Sequence, residues 1–205
     1  MTDVRNAIKT AIDLVSLAVR TAPKSGGVDD VLFEDITDSK EKIADEVLRI
    51  GQERAKAKAD KDFAQAILVD WKSDAEVIRR SDGLVLIGVD GKHAMGANCG
   101  GCGFKDCAEF NKNKDELKGV NLPGPYCVFK IMDLGIALGS AAKTLSCLSV
   151  DSRIMYKIGV AAMNLGIAKV HPLIGIPLSA TGKNIYFDRL DKLQARAFVK
   201  DKHKK

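Results

Sequence analysis

Ser81-Asp82-Gly83-Leu84-Val85-Leu86-Ile87-Gly88-Val89 is the stretch on which the fold turns. A Ser-Asp-Gly turn releases an unbroken apolar run with no polar alternation, the pattern of a strand buried on both faces. Just beyond it the chain changes character. Asn98-Cys99-Gly100-Gly101-Cys102-Gly103-Phe104-Lys105-Asp106-Cys107 packs three cysteines and three glycines into ten residues, and Cys127 follows after a gap. The cysteines read C-x₂-C-x₄-C-x₁₉-C. They leave the end of the strand, where open α/β sheets place ligands.

Working outward, residues 3–21 carry Val4, Ala7, Ile8, Ala11, Ile12, Val15, Ala18 and Val19 at helical spacing. Ala22-Pro23-Lys24-Ser25-Gly26-Gly27 ends that helix. Val28–Thr37 reads as a strand, and Asp38 with Glu41 has capping-box spacing for a helix to about Ala59. Phe63–Trp71 fits helix or strand and is assigned to helix; Ser73 and Glu76 predict a fresh cap for a short helix ending at Arg80. Asn111–Gly119 is polar, and Pro123-Gly124-Pro125 forbids regular structure. Val128–Leu148 predicts a helix rich in small residues. Asp151 or Ser152 caps a further helix, Arg153–Leu165, with Gly166 as its stop. Val170–Ile176 predicts a strand, Ser179–Arg189 a loop, and the remainder is polar. The organisation is one domain over 1–205 with 91–127 inserted into it.

Of 205 residues, 46% are hydrophobic and only 5% aromatic, so aliphatic side chains must fill the core. The net charge of +5 owes much to the terminal run 200–205, read as a solvated tail. No basic stripe interleaved with aromatics points to nucleic acid. No apolar run is long enough to span a membrane, and no secretory leader is visible. These features predict a cytoplasmic protein, where clustered cysteines hold metal more often than they form disulfides.

Four thiolates, Cys99, Cys102, Cys107 and Cys127, can saturate a [4Fe–4S] cluster. The glycines let the loop turn tightly and leave amides to face inorganic sulfide. A four-thiolate zinc site satisfies the same ligand count, although zinc usually takes two paired knuckles and the second half here has one cysteine. A thioredoxin-like Cys99/Cys102 pair is the third alternative. Cys147, mid-helix among apolar residues, is expected to be buried and inert. His93 stands six residues before Cys99 and is expected in solvent, and His171 is expected to be structural. His203 lies in the tail. Lys130 and Asp133 could face a partner or simply solvent.

The cysteine spacing resembles the small 4Fe–4S domain of the corrinoid iron–sulfur protein and of ion-pumping electron-transport subunits, with a slightly longer last gap. With Ser81–Gly88, it also resembles the prokaryotic family of uncharacterized proteins containing a ferredoxin domain. Leu17–Gly27, the small-residue helix at 131–146, Asn164-Leu165-Gly166 and Val170-His171-Pro172-Leu173-Ile174-Gly175-Ile176-Pro177 are similar to segments of nitroreductase-like flavoproteins. That resemblance implies an α+β sandwich with the cysteine-rich [4Fe–4S] loop inserted after a central strand, and a homodimer with FMN at the interface. The Arg-x-Ser-x-Arg segment with which nitroreductases grip the flavin phosphate is missing; Arg5 and Lys9 do not match it. By position Arg20, Lys24, Lys183 and Arg189, with Ser25, Gly26 and Gly27 as donors, are the FMN candidates. The alternative is that 22–27 only ends a helix and that Lys183 and Arg189 are surface residues. The expected function is electron transfer through the cluster to a redox partner protein, with an FMN-dependent oxidoreductase acting on a small-molecule substrate as its extension. The rival is a non-redox protein with structural zinc.

Overall fold

The computed structural model describes residues 3–116, 119 and 121–187. Its centre is a four-stranded sheet in the order β1 (Val31–Asp35), β2 (Gly83–Val89), β4 (Leu173–Ser179), β3 (Asp151–Ser152). Every neighbouring pair is antiparallel. Strand β2 is buried at all seven positions, as its sequence predicts, because it has a strand on each side and a helical layer on each face. Its alternation sorts the core. Val85, Ile87 and Val89 face α1 (Val4–Thr21) and α5 (Val128–Cys147), whereas Leu84 and Leu86 face α2 (Lys40–Lys56), α3 (Lys61–Arg80) and α6 (Tyr156–Asn164). Each such aliphatic side chain contributes about 1.5–3 kcal/mol on burial.

Helix α1 forms as read: Asp3 caps it by accepting the Arg5 amide at 3.0 Å, and Ile8, Ala11, Ile12, Val15 and Val19 are buried. Helix α3 is continuous where a second start was predicted at Ser73. No Gly or Pro interrupts it, and the buried stripe Ala66, Trp71, Asp74, Ala75, Ile78 runs straight through. The cap is Asp60, which accepts from the amides of Asp62 and Phe63. The Asp38–Glu41 box is not made. Asp35 instead accepts from the Thr37 amide and hydroxyl, a turn of 3₁₀ helix follows, and α2 runs from Lys40 to Lys56, short of Ala59. Asp151 and Ser152 pair with Ser179 and Leu178 as β3 rather than capping α6. Strand β4 begins three residues later than predicted and holds Pro177 opposite Leu84.

Two close approaches seat the helices. At Gly51 an added Cβ would strike the Trp71 side chain, so α2 and α3 meet closely there. At Gly159 the place of a Cβ is taken by the Leu173 carbonyl, which lets α6 lie flat on β4. Trp71 stacks edge-on with Tyr156 and has Arg54 and Lys157 each 4.5 Å from its ring centre. Lys157 is buried and pairs with Asp70 and Asp74, tying α6 to α3.

Because the sheet is antiparallel, the ligand rule for parallel sheets does not explain the cysteine loop. Its position at the end of β2 stands all the same.

Candidate metal centre

The loop is anchored where it leaves the sheet. The Gly91 amide donates to the His171 carbonyl at 2.7 Å, and the Cys127 amide donates to the Gly91 carbonyl at 2.8 Å. The fourth cysteine is thereby pinned beside the loop's first residues. Gly91 makes room for this: a Cβ there would lie 2.6 Å from the Tyr126 ring. Cys127 takes the N-cap position of α5 and is 6% exposed.

Cys107 opens α4 (Cys107–Asn113), a short helix that runs into the polar stretch beginning at Asn111. Its signal was present as Asp106-x-x-Glu109: the Asp106 carboxylate accepts the Glu109 amide at 2.9 Å, and Glu109 accepts the Lys105 amide at 2.7 Å. Asn98 braces Cys107 from the other side. Its amide donates to Cys107 Sγ at 3.4 Å, and its side-chain oxygen accepts the Cys107 amide at 3.0 Å. The left-handed turn this needs, φ +50° at Asn98, suits an asparagine. At Gly101 a Cβ would come within 2.7 Å of Val128, so the loop lies tight against the start of α5.

The outcome is one small, partly open pocket bordered by Cys99, Cys102, Cys107 and Cys127 together with Met95 and Phe110. Cys99 is exposed, while Cys102 and Cys107 are partly covered. Among the described residues no group of three or more His, Cys, Asp or Glu side chains is disposed to hold a metal ion. A single zinc draws four ligands to within about 2.3 Å of itself, whereas a [4Fe–4S] cube spreads four thiolates over four irons. The four thiols and the amide given to Cys107 Sγ are a donor set that suits a [4Fe–4S] cluster.

The groups predicted for a flavin phosphate are met inside the chain. Arg20 pairs with Asp29 at 2.9 Å. Lys24, its side chain 5% exposed, donates to the carbonyls of Val19, Arg20 and Ala22 at the end of α1 and faces Asp29 at 3.5 Å. Ser25 donates its amide at 2.9 Å and its hydroxyl at 2.8 Å to Asp133 Oδ1. The Gly27 amide donates to the Lys24 carbonyl. Gly26 lies against Met95. Lys183 is exposed on the loop after β4, and Arg189 lies outside the described residues. A phosphate at 20–27 would have to displace these partners, with Asp29 and Asp133 beside it, although Arg20 itself is largely exposed.

Several expectations are corrected. Lys130 and Asp133 are each 1% exposed and face neither solvent nor a partner. Lys130 pairs with Asp30, and Asp133 holds Ser25, contacts that sequence spacing of about a hundred residues conceals. Cys147 is exposed at the end of α5, in a groove between α1 and α5, rather than buried. His93 is exposed as expected. His171 Nδ1 rests 2.8 Å from Met163 Sδ, in keeping with a structural role, and His203 lies outside the described residues. Burial pushes the Tyr126 phenol up to about 12, and its hydroxyl has no hydrogen-bond partner.

A family model described as an uncharacterized protein containing a ferredoxin domain matches residues 123–189, a stretch that includes Cys127. An uncharacterized protein of Archaeoglobus fulgidus is 43% identical over 193 residues, covering 93% of this chain and 96% of its own. The chain belongs to this family of uncharacterized proteins containing a ferredoxin domain. Its fold is nitroreductase-like. The nitroreductase CinD of Lactococcus lactis, solved with chloramphenicol, superposes with a TM-score of 0.53 at 14% identity, over 85% of this chain and 79% of that one. A nitroreductase of Desulfitobacterium hafniense with bound FMN gives 0.50 at 11% identity, over 89% and 84%. Among the described residues no helix is long and apolar enough to cross a membrane.

Proposed function

We propose that this protein is a cytoplasmic iron–sulfur redox protein in which Cys99, Cys102, Cys107 and Cys127 hold a [4Fe–4S] cluster. The observation that carries the reading is that four thiols drawn from a loop, the start of α4 and the start of α5 border one pocket. The ferredoxin-domain family and the nitroreductase-like fold support a redox role. When bound, such a cluster takes up and releases single electrons. The chain's part is to supply thiolates, to brace Cys107 through Asn98, and to back the site with the buried Phe110. Exposed Cys99 marks the side from which a redox partner protein would approach. The residues 91–127 act as an insert in a single domain of 205 residues. An FMN bound by this chain would have to displace the partners held at 20–27 or find its phosphate partners elsewhere.

The working form is a homodimer formed along α5, whose outward side carries Ile131, Met132 and Ile136 exposed, with open space beside Gly135 and Gly139. Light scattering of the purified protein at micromolar concentration reads this directly, and a monomer refutes it.

The deciding experiment is anaerobic purification with metal, sulfide and flavin analysis. A brown protein with about four irons and four sulfides per chain, bleached by dithionite, supports the cluster. A colourless protein with one zinc and no sulfide refutes it. Yellow flavin released on denaturation would restore the flavin-dependent oxidoreductase.

A further inference from the structure

The Ser25–Gly27 turn is bolted to α5 just behind the cysteine pocket. Two partly buried links cross about a hundred residues of sequence: Ser25 to Asp133, and Asp30 to Lys130. Cys127 caps the same helix less than two turns before Asp133. From the other side comes Met95, which lines the pocket with the four cysteines; an added Cβ at Gly26 would stand 2.5 Å from its Cε. Gly26 has φ +64°, so the turn itself needs a glycine here, and the absent side chain leaves the space into which Met95 fits. Asp133 Oδ2 and Asp30 Oδ1 are buried without hydrogen-bond partners.

We propose that Ser25, Gly26 and Asp133 form a latch that holds Met95 in place as a wall of the cysteine pocket, with Asp133 as its positioning residue. The segment whose residue types suggest a phosphate site thus serves the cysteine site. Asp133 fixes Ser25, Ser25 fixes the turn, and the turn leaves Met95 one place to rest. Released, Met95 loses its backing and the pocket opens toward Cys127. The inference rests on the reading that the four cysteines act as one ligand set. It can nevertheless be tested on the metal-free protein.

The experiment is competitive alkylation under reducing, metal-free conditions, with labelling of each cysteine followed by peptide mass spectrometry. Cys147, already exposed in the groove between α1 and α5 that Ala22 and Pro23 also line, serves as the internal reference once its own rate, read against added N-acetylcysteine, matches the wild type. In Ser25→Ala and in Asp133→Ala, Cys127 should label about tenfold faster relative to Cys147, the factor expected when a partly buried hydrogen bond no longer opposes local opening. Asp133→Asn keeps an acceptor for the Ser25 hydroxyl and should stay near the wild-type ratio. Met95→Ala should mimic Ser25→Ala. Should Asp133→Ala fail to fold, Ser25→Ala and Met95→Ala carry the test. An unchanged Cys127/Cys147 ratio in both of these, with wild-type circular dichroism, overturns the latch. Reconstitution with iron and sulfide is then run on the same proteins. A wild type that takes up no cluster refutes the proposed function, whatever the labelling ratios. A wild type that loads, with Ser25→Ala and Met95→Ala yielding iron to a chelator no faster than it does, refutes the latch alone.

Discussion

The cysteine loop and the Ser25–Gly27 turn are built from similar material: glycines at positive φ, polar groups and a neighbouring helix end. They use it in opposite ways. The loop leaves four thiols around a pocket, none of them held in a disulfide. The turn spends its donors at home, with Lys24 on the carbonyls of α1, Ser25 on Asp133, Gly27 on Lys24 and Arg20 on Asp29. A ligand must outbid whatever a group already holds. Residue types that could bind a ligand therefore make a candidate site only where the fold has left them unspent.

The strongest way to break this contrast is at the cysteines. Cys127→Ala should abolish iron and sulfide uptake and the visible chromophore, whereas Cys147→Ala should leave both unchanged, as read by anaerobic metal analysis. Equal loss in the two variants would remove the pocket's claim to be the site. Next in size is the partly buried pair behind it. Lys130→Met strands Asp30 and should cost about 3 kcal/mol in denaturant unfolding, at the low end for such pairs because Asp30 keeps some solvent contact. A smaller effect is expected at the turn. Lys24→Met should lower stability by about 1 kcal/mol through the helix-end carbonyls it serves. Any saturable quenching of added FMN fluorescence should be equal in wild type and this variant. Saturable binding that Lys24→Met weakens would reverse the comparison and return the turn to a flavin.

The smallest effect concerns the residue before Cys127. Tyr126 is raised to about 12 by burial, and Tyr186 is raised as well by burial and by Asp82 and Asp151. A phenol whose folded value exceeds its unfolded value of about 10 keeps its proton longer in the folded state. The folded chain then holds more protons above pH 10, so stability is intact below that point and declines as pH rises toward about 12. Tyr126→Phe should flatten part of this decline in denaturant melts taken between those pH values. An identical slope would place the Tyr126 phenol in solvent.

Much of the scaffold was legible in the chain. Leu84–Val89 announced a strand covered on both sides, and the three-and-four spacing in 4–21 announced α1. Local chemistry misled where two motifs competed. Ser73 and Glu76 have the spacing of a helix start, but the apolar stripe of α3 simply continues past them. Asp151 and Ser152 resemble a cap, yet two ladder pairs with β4 hold them in a strand.

Local periodicity thus settled the burial of β2 and the extent of α1 and α5, because each depends on residues a few positions apart. Tertiary structure alone decided that Cys127 returns to Gly91, that Lys130 and Asp133 turn inward, that Cys147 turns outward, and that the Ser25–Gly27 turn is already engaged. Those outcomes depend on partners about a hundred residues distant or on which side of a helix a neighbour covers. A one-dimensional pattern carries no measure of either, since a side chain's chemistry is set by what it touches once the chain has closed on itself.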